Sequence, residues 1–171
     1  PLIAMLLMLG ACTMPQRPLP APAPVAVKPR PLPPVPIPMP PADWRDAEQT
    51  PGIWNWALVN GRSTASFGLP GAAPLVSLSC DRTIGRVLLA RAGAAPTPVP
   101  LTVVTASTRR PLLSEANGSP AGWLIVPFPA GDPILDAMAF SRGRFALEAA
   151  GLETLYLPAW PEISRVIEDC R

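Results

Sequence analysis

The sequence predicts that residues 42–171 form a mainly β domain, an antiparallel sandwich or barrel with one or two short helices, one of them C-terminal. Short runs rich in β-branched and aromatic residues recur along this stretch, and Gly, Pro and polar residues separate them. The pair Asn60-Gly61 between two such runs is a strong hairpin signal. A stretch of roughly 130 residues suits one domain and is too short for two.

Eight strands are predicted in this domain. Residues 53–59 and 63–67 flank the Asn60-Gly61 pair and form the first predicted hairpin. The later runs are either alternating or rich in β-branched residues. They cover residues 75–80, 86–91, 100–107, 123–128, 144–148 and 152–157.

Two short helices are predicted near the end of the chain. Asp132 can cap a helix whose first position is Pro133. Ile134, Leu135 and Met138 then share one face. The second helix starts near Trp160-Pro161, and its apolar stripe consists of Ile163, Val166 and Ile167. Its acidic residues Glu168 and Asp169 lie at the C-terminal end, where the helix dipole disfavours negative charge.

The first twelve residues predict a leader followed by a lipid-modified cysteine. Residues 2–9 are continuously apolar and too few to span a bilayer as a helix. No basic segment or initiator Met precedes them, so we expect residues 1–11 to be a truncated signal peptide. Leu9-Gly10-Ala11-Cys12 resembles the lipobox of bacterial lipoproteins. The alternative is an ordinary cysteine in a buried apolar strand or helix.

The lipobox resemblance implies that Cys12 carries a diacylglycerol thioether and becomes the mature amino terminus. Two or three acyl chains make anchoring effectively permanent. Thr13 follows the cysteine, where an Asp would be the common signal for retention in the inner membrane. The resemblance therefore implies a cell-envelope protein, lipid-anchored to the outer membrane and facing the periplasm.

Residues 12–41 are predicted to be a proline-rich tether behind the lipidated cysteine. They contain 13 of the 27 prolines, and proline prevents both helix and sheet. Such a segment adopts polyproline II, rising about 3.1 Å per residue, and holds a domain away from the membrane. A spacer is the simpler interpretation. The alternative is a ligand for an aromatic-lined groove in another protein.

Cys80 and Cys170 are the two cysteines of the predicted domain. Outside the cytoplasm such a pair is normally a disulfide. It would join the last helix to the third strand and stabilise the domain by about 4 kcal/mol in the chain-entropy model. The alternative is a pair of free or redox-active thiols, but the sequence contains no CxxC motif.

Composition excludes several classes of function. The chain has no histidine, and its one lysine, Lys28, lies in the tether, so Ser-His-Asp and Cys-His catalysis are excluded and Ser-Lys nearly so. Basic and acidic residues nearly balance in the domain, so we expect no nucleic-acid partner. We likewise expect no cofactor and no metal site, because the sequence has no phosphate loop, nucleotide fingerprint or metal cluster.

Two carboxylate pairs are candidates for acid–base chemistry. Asp132 and Asp136 stand four residues apart on one predicted helix face, and Glu148 and Glu153 flank the turn at Gly151. Acids at a helix amino terminus are also stabilised by the dipole without any catalytic role. We therefore predict that the protein is not an enzyme, with a carboxylate hydrolase as the alternative.

Tryptophan and arginine supply the candidate binding residues. Trp54 and Trp56 project to the same face of a strand, and either stack on sugars with the other tryptophans, Trp44, Trp123 and Trp160, or pack in the core. Arg142 and Arg144 flank Gly143 and either hold an anionic group or lie in a solvated hairpin turn. Core packing and a solvated turn are the simpler interpretations.

The closing stretch carries a second resemblance. Asp132-Pro-Ile-Leu-Asp-Ala-Met-Ala-Phe-Ser-Arg-Gly-Arg-Phe145, with Leu155-Tyr-Leu-Pro-Ala-Trp-Pro-Glu-Ile-Ser-Arg-Val-Ile-Glu-Asp-Cys170, looks like a group of uncharacterised alphaproteobacterial envelope proteins of the sphingomonad type. Its plan of strand, apolar turn and terminal helix is also similar to the invasion-associated locus B proteins, which are secreted β-sandwiches. Neither resemblance implies catalytic residues.

These observations favour a structural or binding lipoprotein of the envelope that presents a small domain on its tether. Its expected partners are the membrane, through the lipid anchor, and an envelope protein or peptidoglycan. One alternative is an inhibitor of a hydrolase, similar in size and disulfide use to the lipoprotein lysozyme inhibitors, which would insert an exposed loop into a cleft. The carboxylate hydrolase is the other alternative, and it requires Asp132 and Asp136 to line a pocket.

Overall fold

The structure is a computed structural model, and it describes residues 43–115 and 122–171. The truncated signal peptide, Cys12 and the proline-rich tether all lie outside the described residues. No helix within the described ranges is long and apolar enough to cross a membrane.

The described residues form nine strands and two α-helices, preceded by a 3-10 turn at Trp44–Asp46. The strands are β1 (Ile53–Val59), β2 (Arg62–Gly68), β3 (Val76–Asp81), β4 (Arg86–Ala92), β5 (Pro100–Val104), β6 (Arg109–Leu113), β7 (Trp123–Pro129), β8 (Arg144–Ala149) and β9 (Leu155–Pro158). The helices are α1 (Pro133–Ala139) and α2 (Pro161–Glu168).

The strands make two antiparallel sheets. The five-stranded sheet has the order β1-β2-β3-β4-β7 and the four-stranded sheet the order β6-β5-β8-β9. Neither sheet closes on itself, so the predicted mainly β class with a C-terminal helix is confirmed and the barrel alternative is excluded.

One apolar core joins both sheets and both helices. Side chains alternate along each strand, so every second residue of β2, β3, β4 and β7 points inward. Phe67, Phe128 and Phe145 are among the largest side chains that are fully buried. Helices α1 and α2 add Met138 and Ile163 to the same cluster. The core thus fixes how α2 lies against the five-stranded sheet.

The predicted β1–β2 hairpin is confirmed. Asn60 and Gly61 both have positive φ, 51° and 76°, as a two-residue hairpin turn of type I′ requires. Val59 therefore pairs with Arg62, and the register continues to Ile53 opposite Gly68. This register places Trp54 and Trp56 on the inward side of β1.

Both predicted helices are also confirmed. The Asp132 carboxylate accepts a hydrogen bond of 3.0 Å from the Ile134 amide, and Pro133 follows as the first residue of α1. Helix α2 begins at Pro161 and buries the predicted stripe, Ile163, Val166 and Ile167, against β2 and β3.

Two strand boundaries and one strand were predicted wrongly. The run 100–107 leaves the sheet after Val104, because the Thr105 amide and hydroxyl close a turn onto the Thr108 carbonyl at 2.8 and 3.1 Å. Strand β9 starts at Leu155, three residues later than predicted. Strand β6 was missed because its sequence contains Pro111, which only an edge strand tolerates.

The predicted disulfide between Cys80 and Cys170 is confirmed. The two Cα atoms lie 5.3 Å apart, within the usual range for this bond. The bond joins the end of β3 to the residue that follows the last turn of α2. It thereby holds the C-terminus of α2 beside the β1–β2 hairpin.

Candidate functional site

A polar groove lies where the β1–β2 hairpin, the β3–β4 turn and the end of α2 meet. It has a volume of about 530 Å³ and opens to solvent beside the disulfide. We call it the Trp56 groove. Its lining residues are Trp56, Leu58, Asn60, Gly61, Arg62, Ser63, Cys80, Asp81, Arg82, Thr83, Arg165 and Asp169.

A chain of two hydrogen bonds forms the inner wall of the Trp56 groove. The Trp56 indole N–H donates to Ser63 Oγ at 2.8 Å, and the Ser63 hydroxyl donates to Asp169 Oδ2 at 2.5 Å. Ser63 is buried, whereas Trp56 and Asp169 are partly exposed. These bonds connect β1, β2 and the C-terminus of α2. They also explain why Asp169 lies at the C-terminal end of α2, where the helix dipole disfavours an acid. The Ser63 hydroxyl of β2 stabilises the negative charge of its carboxylate.

Arg165 stacks on Trp56. Its guanidinium carbon lies 3.4 Å from the centroid of the indole ring, which is a cation–π contact. Arg165 precedes Asp169 by four residues, so both side chains lie on the same side of α2. Within the described residues no acceptor is bonded to the Arg165 N–H groups, and the side chain is exposed. Its charge is therefore available to a ligand.

Arg82 also lines the groove. Its Nε donates to the Asp169 carbonyl oxygen at 2.6 Å, which fixes the side chain across the end of α2. The residue is exposed, and within the described ranges its two terminal nitrogens have no partner. Arg82 thus presents a second guanidinium group close to Asp169.

Arg62 and Asp81 form a cross-strand ion pair at the mouth of the groove. Arg62 Nη2 lies 2.9 Å from Asp81 Oδ2. The Thr83 hydroxyl donates to Asp81 Oδ1 at 2.5 Å, and the Thr83 amide donates to the same oxygen at 3.1 Å. The hydrogen bond from the Thr83 hydroxyl is the largest influence on Asp81, and with the Arg62 charge it lowers the pKa of that carboxyl despite partial desolvation. Asp81 is therefore ionised, and its carboxylate already binds Arg62 and Thr83 of the same domain.

A second depression continues from the Trp56 groove along α2. It has a volume of about 450 Å³, lies between β1 and the first turns of α2, and shares Trp56 and Arg165 with the groove. We call it the β1–α2 cleft. Glu162 lines it, and one of its carboxylate oxygens is buried without a hydrogen-bond partner in the described part of the chain. The Trp56 groove and the cleft thus have arginines at one end and a glutamate at the other.

The predicted tryptophan candidates lie in different surroundings. Trp54 is buried, packs on Phe67 with ring centroids 5.3 Å apart, and donates its indole N–H to the Pro158 carbonyl at 2.8 Å. Trp56 lines the groove, but Arg165 covers one face of its ring. Trp44, Trp123 and Trp160 do not line the groove.

The predicted carboxylate candidates are each held by an arginine. Asp132 bonds Arg110 at 2.5 Å and Asp136 bonds Arg171 at 2.8 Å. Burial raises the pKa of Asp132, but the hydrogen bonds from Arg110 and the Ile134 amide outweigh it, so the pKa is lowered overall. A carboxyl of lowered pKa is a poor general acid near neutral pH.

The second carboxylate pair is divided between two surroundings. Glu148 accepts two hydrogen bonds from Arg109, at 3.1 and 2.6 Å, across the neighbouring strands. The Glu153 carbonyl oxygen accepts a bond of 2.7 Å from the buried Arg91. Neither glutamate lines the Trp56 groove.

The predicted arginine pair of the α1–β8 turn is likewise divided. The Arg144 guanidinium donates to the Ala47 carbonyl oxygen and so ties the segment before β1 to β8. Arg142 is exposed to solvent. Ser141 closes the turn by accepting from the Ala106 amide at 2.9 Å and donating to the Arg144 carbonyl at 2.5 Å.

Chemically, the Trp56 groove can bind but is poorly equipped to react. The Ser63 hydroxyl accepts a hydrogen bond from the Trp56 indole N–H and donates one to the Asp169 carboxylate. Both bonds give this hydroxyl a positioning role. A carboxylate does not activate a serine as the imidazole of histidine does. In the described ranges no group of three or more His, Cys, Asp or Glu side chains is placed to hold a metal ion.

Sequence reasoning missed most of this groove. Of its residues only Trp56 and Cys80 were predicted as candidates, and Arg82 and Arg165 were not. A usable signal was the acid at the C-terminal end of α2, which breaks the dipole rule at Asp169. Comparison of the chain with protein-family models, curated proteins and solved structures finds no match in any of the three.

Proposed function

We propose that this protein is a lipid-anchored envelope protein whose domain is a binding module, with the Trp56 groove as its ligand site. The observation that carries the binding role is the exposed Arg165–Trp56 pair in a concave site of about 530 Å³. Ligand sites commonly have this size and combine an aromatic group with a few convergent polar groups.

The anchor follows from the sequence alone. The lipobox resemblance at Leu9-Gly10-Ala11-Cys12 and the proline-rich residues behind it favour attachment to the outer membrane and exposure to the periplasm. The partner is then an envelope protein or a wall component such as peptidoglycan. Binding requires no cofactor, and an enzymatic role would need an acid–base pair that the chemistry of the groove does not supply.

Mass spectrometry of the membrane fraction tests the anchor. We expect a mature amino-terminal peptide that starts at an acylated Cys12, and we expect Cys12→Ser to move the protein out of that fraction. An intact leader on a protein recovered from the cytosol would contradict the proposal.

Site-specific photo-crosslinking in the native cells tests the groove as the ligand site. A photoreactive phenylalanine analogue replaces Leu58, an exposed residue of the groove wall, or Phe140, an exposed residue outside it. We expect an adduct from position 58 that disappears when Arg165→Ala is added, and no such adduct from position 140. Equal adducts from both positions, or none from position 58, would overturn the groove as the site.

A further inference from the structure

We infer that β1 binds an extended peptide segment as an added strand, and that an acidic side chain of this segment contacts Arg165 and Arg82. The inference rests on the proposed function, because it names the ligand of the Trp56 groove and the β1–α2 cleft. It follows from a comparison of the four sheet edges, from the direction of the free backbone groups of β1, and from the charges beside them.

Three of the four edges are protected against strand addition. Strand β6 carries Arg109, Arg110 and Pro111, and proline removes an edge donor. Strand β7 contains Pro127 and Pro129 and is also bonded by another segment of the chain.

Strand β9 is short, and its outer side is occupied. The Thr50 amide donates to the Tyr156 carbonyl at 3.0 Å, and the Tyr156 amide donates to the Thr50 hydroxyl at 2.9 Å. Natural sheets commonly protect their edges with short strands, prolines, charges and covering segments.

Helix α2 packs beside strand β1, but among the described residues β1 has no proline, no charged residue and no backbone hydrogen bond from a covering segment. Its sequence, Ile-Trp-Asn-Trp-Ala-Leu-Val, contains neither proline nor a charged residue, and at seven residues it is among the longest strands. Leu58 and Val59 are 65% and 48% exposed. An exposed edge of this kind is the template that β-strand addition uses.

The hairpin register fixes which backbone groups of β1 are free. A two-residue turn makes Val59 and Arg62 a hydrogen-bonded pair, and such pairs alternate along antiparallel strands. The amides and carbonyls of Trp54, Trp56 and Leu58 therefore point away from β2. Trp56 and Leu58 line the groove, and Trp54, which is buried, lines the cleft together with Asn55 and Trp56. A peptide on this edge would thus pass Trp56 directly.

The charges along this path indicate an acidic residue at one end. Asp81 and Asp169 are engaged by Arg62 and Ser63, whereas Arg82 and Arg165 have free guanidinium N–H groups within the described residues. An arginine fork matches a carboxylate geometrically. Glu162 lies at the other end and disfavours an acid there. The site therefore takes an uncharged extended segment with an acid at its arginine end.

Labelled pentapeptides test the inference on the full-length protein purified in detergent. The probe alternates valine and threonine, with a glutamate at the first or the last position, and fluorescence anisotropy measures its Kd. We expect one placement to bind about tenfold more tightly than the same peptide with glutamine, the effect of one charge-assisted pair. Equal Kd values for glutamate and glutamine in both placements would overturn the acidic part.

Two variants and a modified peptide assign the contacts. Arg165→Gln should remove the preference for glutamate, whereas Arg142→Gln, an exposed arginine in the α1–β8 turn, should leave it intact. A probe whose alternate amides are N-methylated on the edge facing β1 should bind at least about tenfold more weakly, because it cannot pair with a strand. Unchanged binding of that probe would overturn strand addition, and no variant is needed for this result.

Three further results would distinguish the peptide ligand from the proposed function. A dimer in sedimentation experiments that Leu58→Lys dissociates would assign the edge to a second copy of the chain and overturn the peptide ligand. If no peptide binds but the Leu58 crosslink forms in cells, the ligand class is wrong while the proposed function stands. If the crosslink is also missing, the proposed function fails as well.

Discussion

Ser63 is the residue on which the inner wall of the groove depends. Its single hydroxyl accepts the Trp56 N–H and donates to Asp169, so it links two strands of the hairpin to the end of α2. Because Ser63 is buried, water does not readily replace either bond. The position of the Trp56 ring, and with it the position of Arg165, therefore follows from a side chain that a ligand itself need not touch.

Ser63→Ala is expected to lower the free energy of unfolding by about 1–3 kcal/mol, because it leaves the Trp56 N–H and the Asp169 carboxylate without a partner. Urea denaturation followed by circular dichroism measures the change. Ser66→Ala is the matched control, since Ser66 lies in the same strand, is half-buried and makes no side-chain hydrogen bond within the described residues. We expect a change within about 0.5 kcal/mol for the control. Equal effects of the two substitutions would show that the hydrogen-bond chain contributes nothing.

At the scale of single residues, the sequence predicts the disulfide but not the contacts that form the groove. The disulfide could be predicted because Cys80 and Cys170 are the two cysteines of residues 42–171, and the leader predicted from the sequence favours a compartment in which such a pair is bonded. Trp56 could be named as a candidate, but its partners could not. Ser63 and Asp169 are 106 residues apart, and no local pattern predicts contact at that separation.

Elements were predictable where local signals agree with the fold. The Asn60-Gly61 turn and the Asp132-Pro133 start of α1 have backbone requirements that few residues satisfy, so both could be located from sequence. Strand β6 could not, because Pro111 and its two arginines oppose a strand and only pairing with β5 makes it one. The same proline and arginines protect β6, as an edge strand, against the addition of another strand.

Helix α1 is capped by an aspartate that also forms an ion pair with Arg110. The pKa of Asp132 is below its usual value of 3.8, so the ionised carboxylate stabilises the folded state above that pH. This contribution is lost as the pH falls below about 4 toward the folded-state pKa. The acid sensitivity of the domain should therefore depend in part on the first turn of α1.

Asp132→Asn keeps a capping side chain but removes the titrating group. We expect the variant to lose less free energy of unfolding than the native protein between about pH 6 and about pH 2.5, measured by urea denaturation at each pH. Asp132→Ala separates the two roles, since it removes the cap as well and should be less stable than Asp132→Asn by about 1 kcal/mol at pH 6. The same loss of stability on acidification in the native protein and in Asp132→Asn would rule out this role for the carboxylate.

Across the whole molecule, the disulfide links stability to the geometry of the groove. It closes a segment with a sequence separation of 90 residues, and Cys170 directly follows Asp169, whose side chain and carbonyl hold Ser63 and Arg82. Core packing positions α2 through Ile163, Val166 and Ile167, but Glu168 and Asp169, which follow them, are not buried and lack that restraint. The covalent bond supplies that restraint and so should matter more to the groove than to the sheets.

Cys80→Ala/Cys170→Ala is therefore expected to have two separable effects. The free energy of unfolding should fall by about 4 kcal/mol, the loop-closure contribution in the chain-entropy model, measured by urea denaturation. The groove should also loosen in molecules that remain folded, seen as faster amide exchange of Asp169 and Ser63 than of core residues such as Phe128. Ser77→Ala, in the same strand as Cys80, is the control: Ser77 is half-buried and makes no side-chain hydrogen bond within the described residues, so it should change neither quantity. A double variant with native stability and native exchange at Asp169 would mean that noncovalent packing alone holds the end of α2 in place.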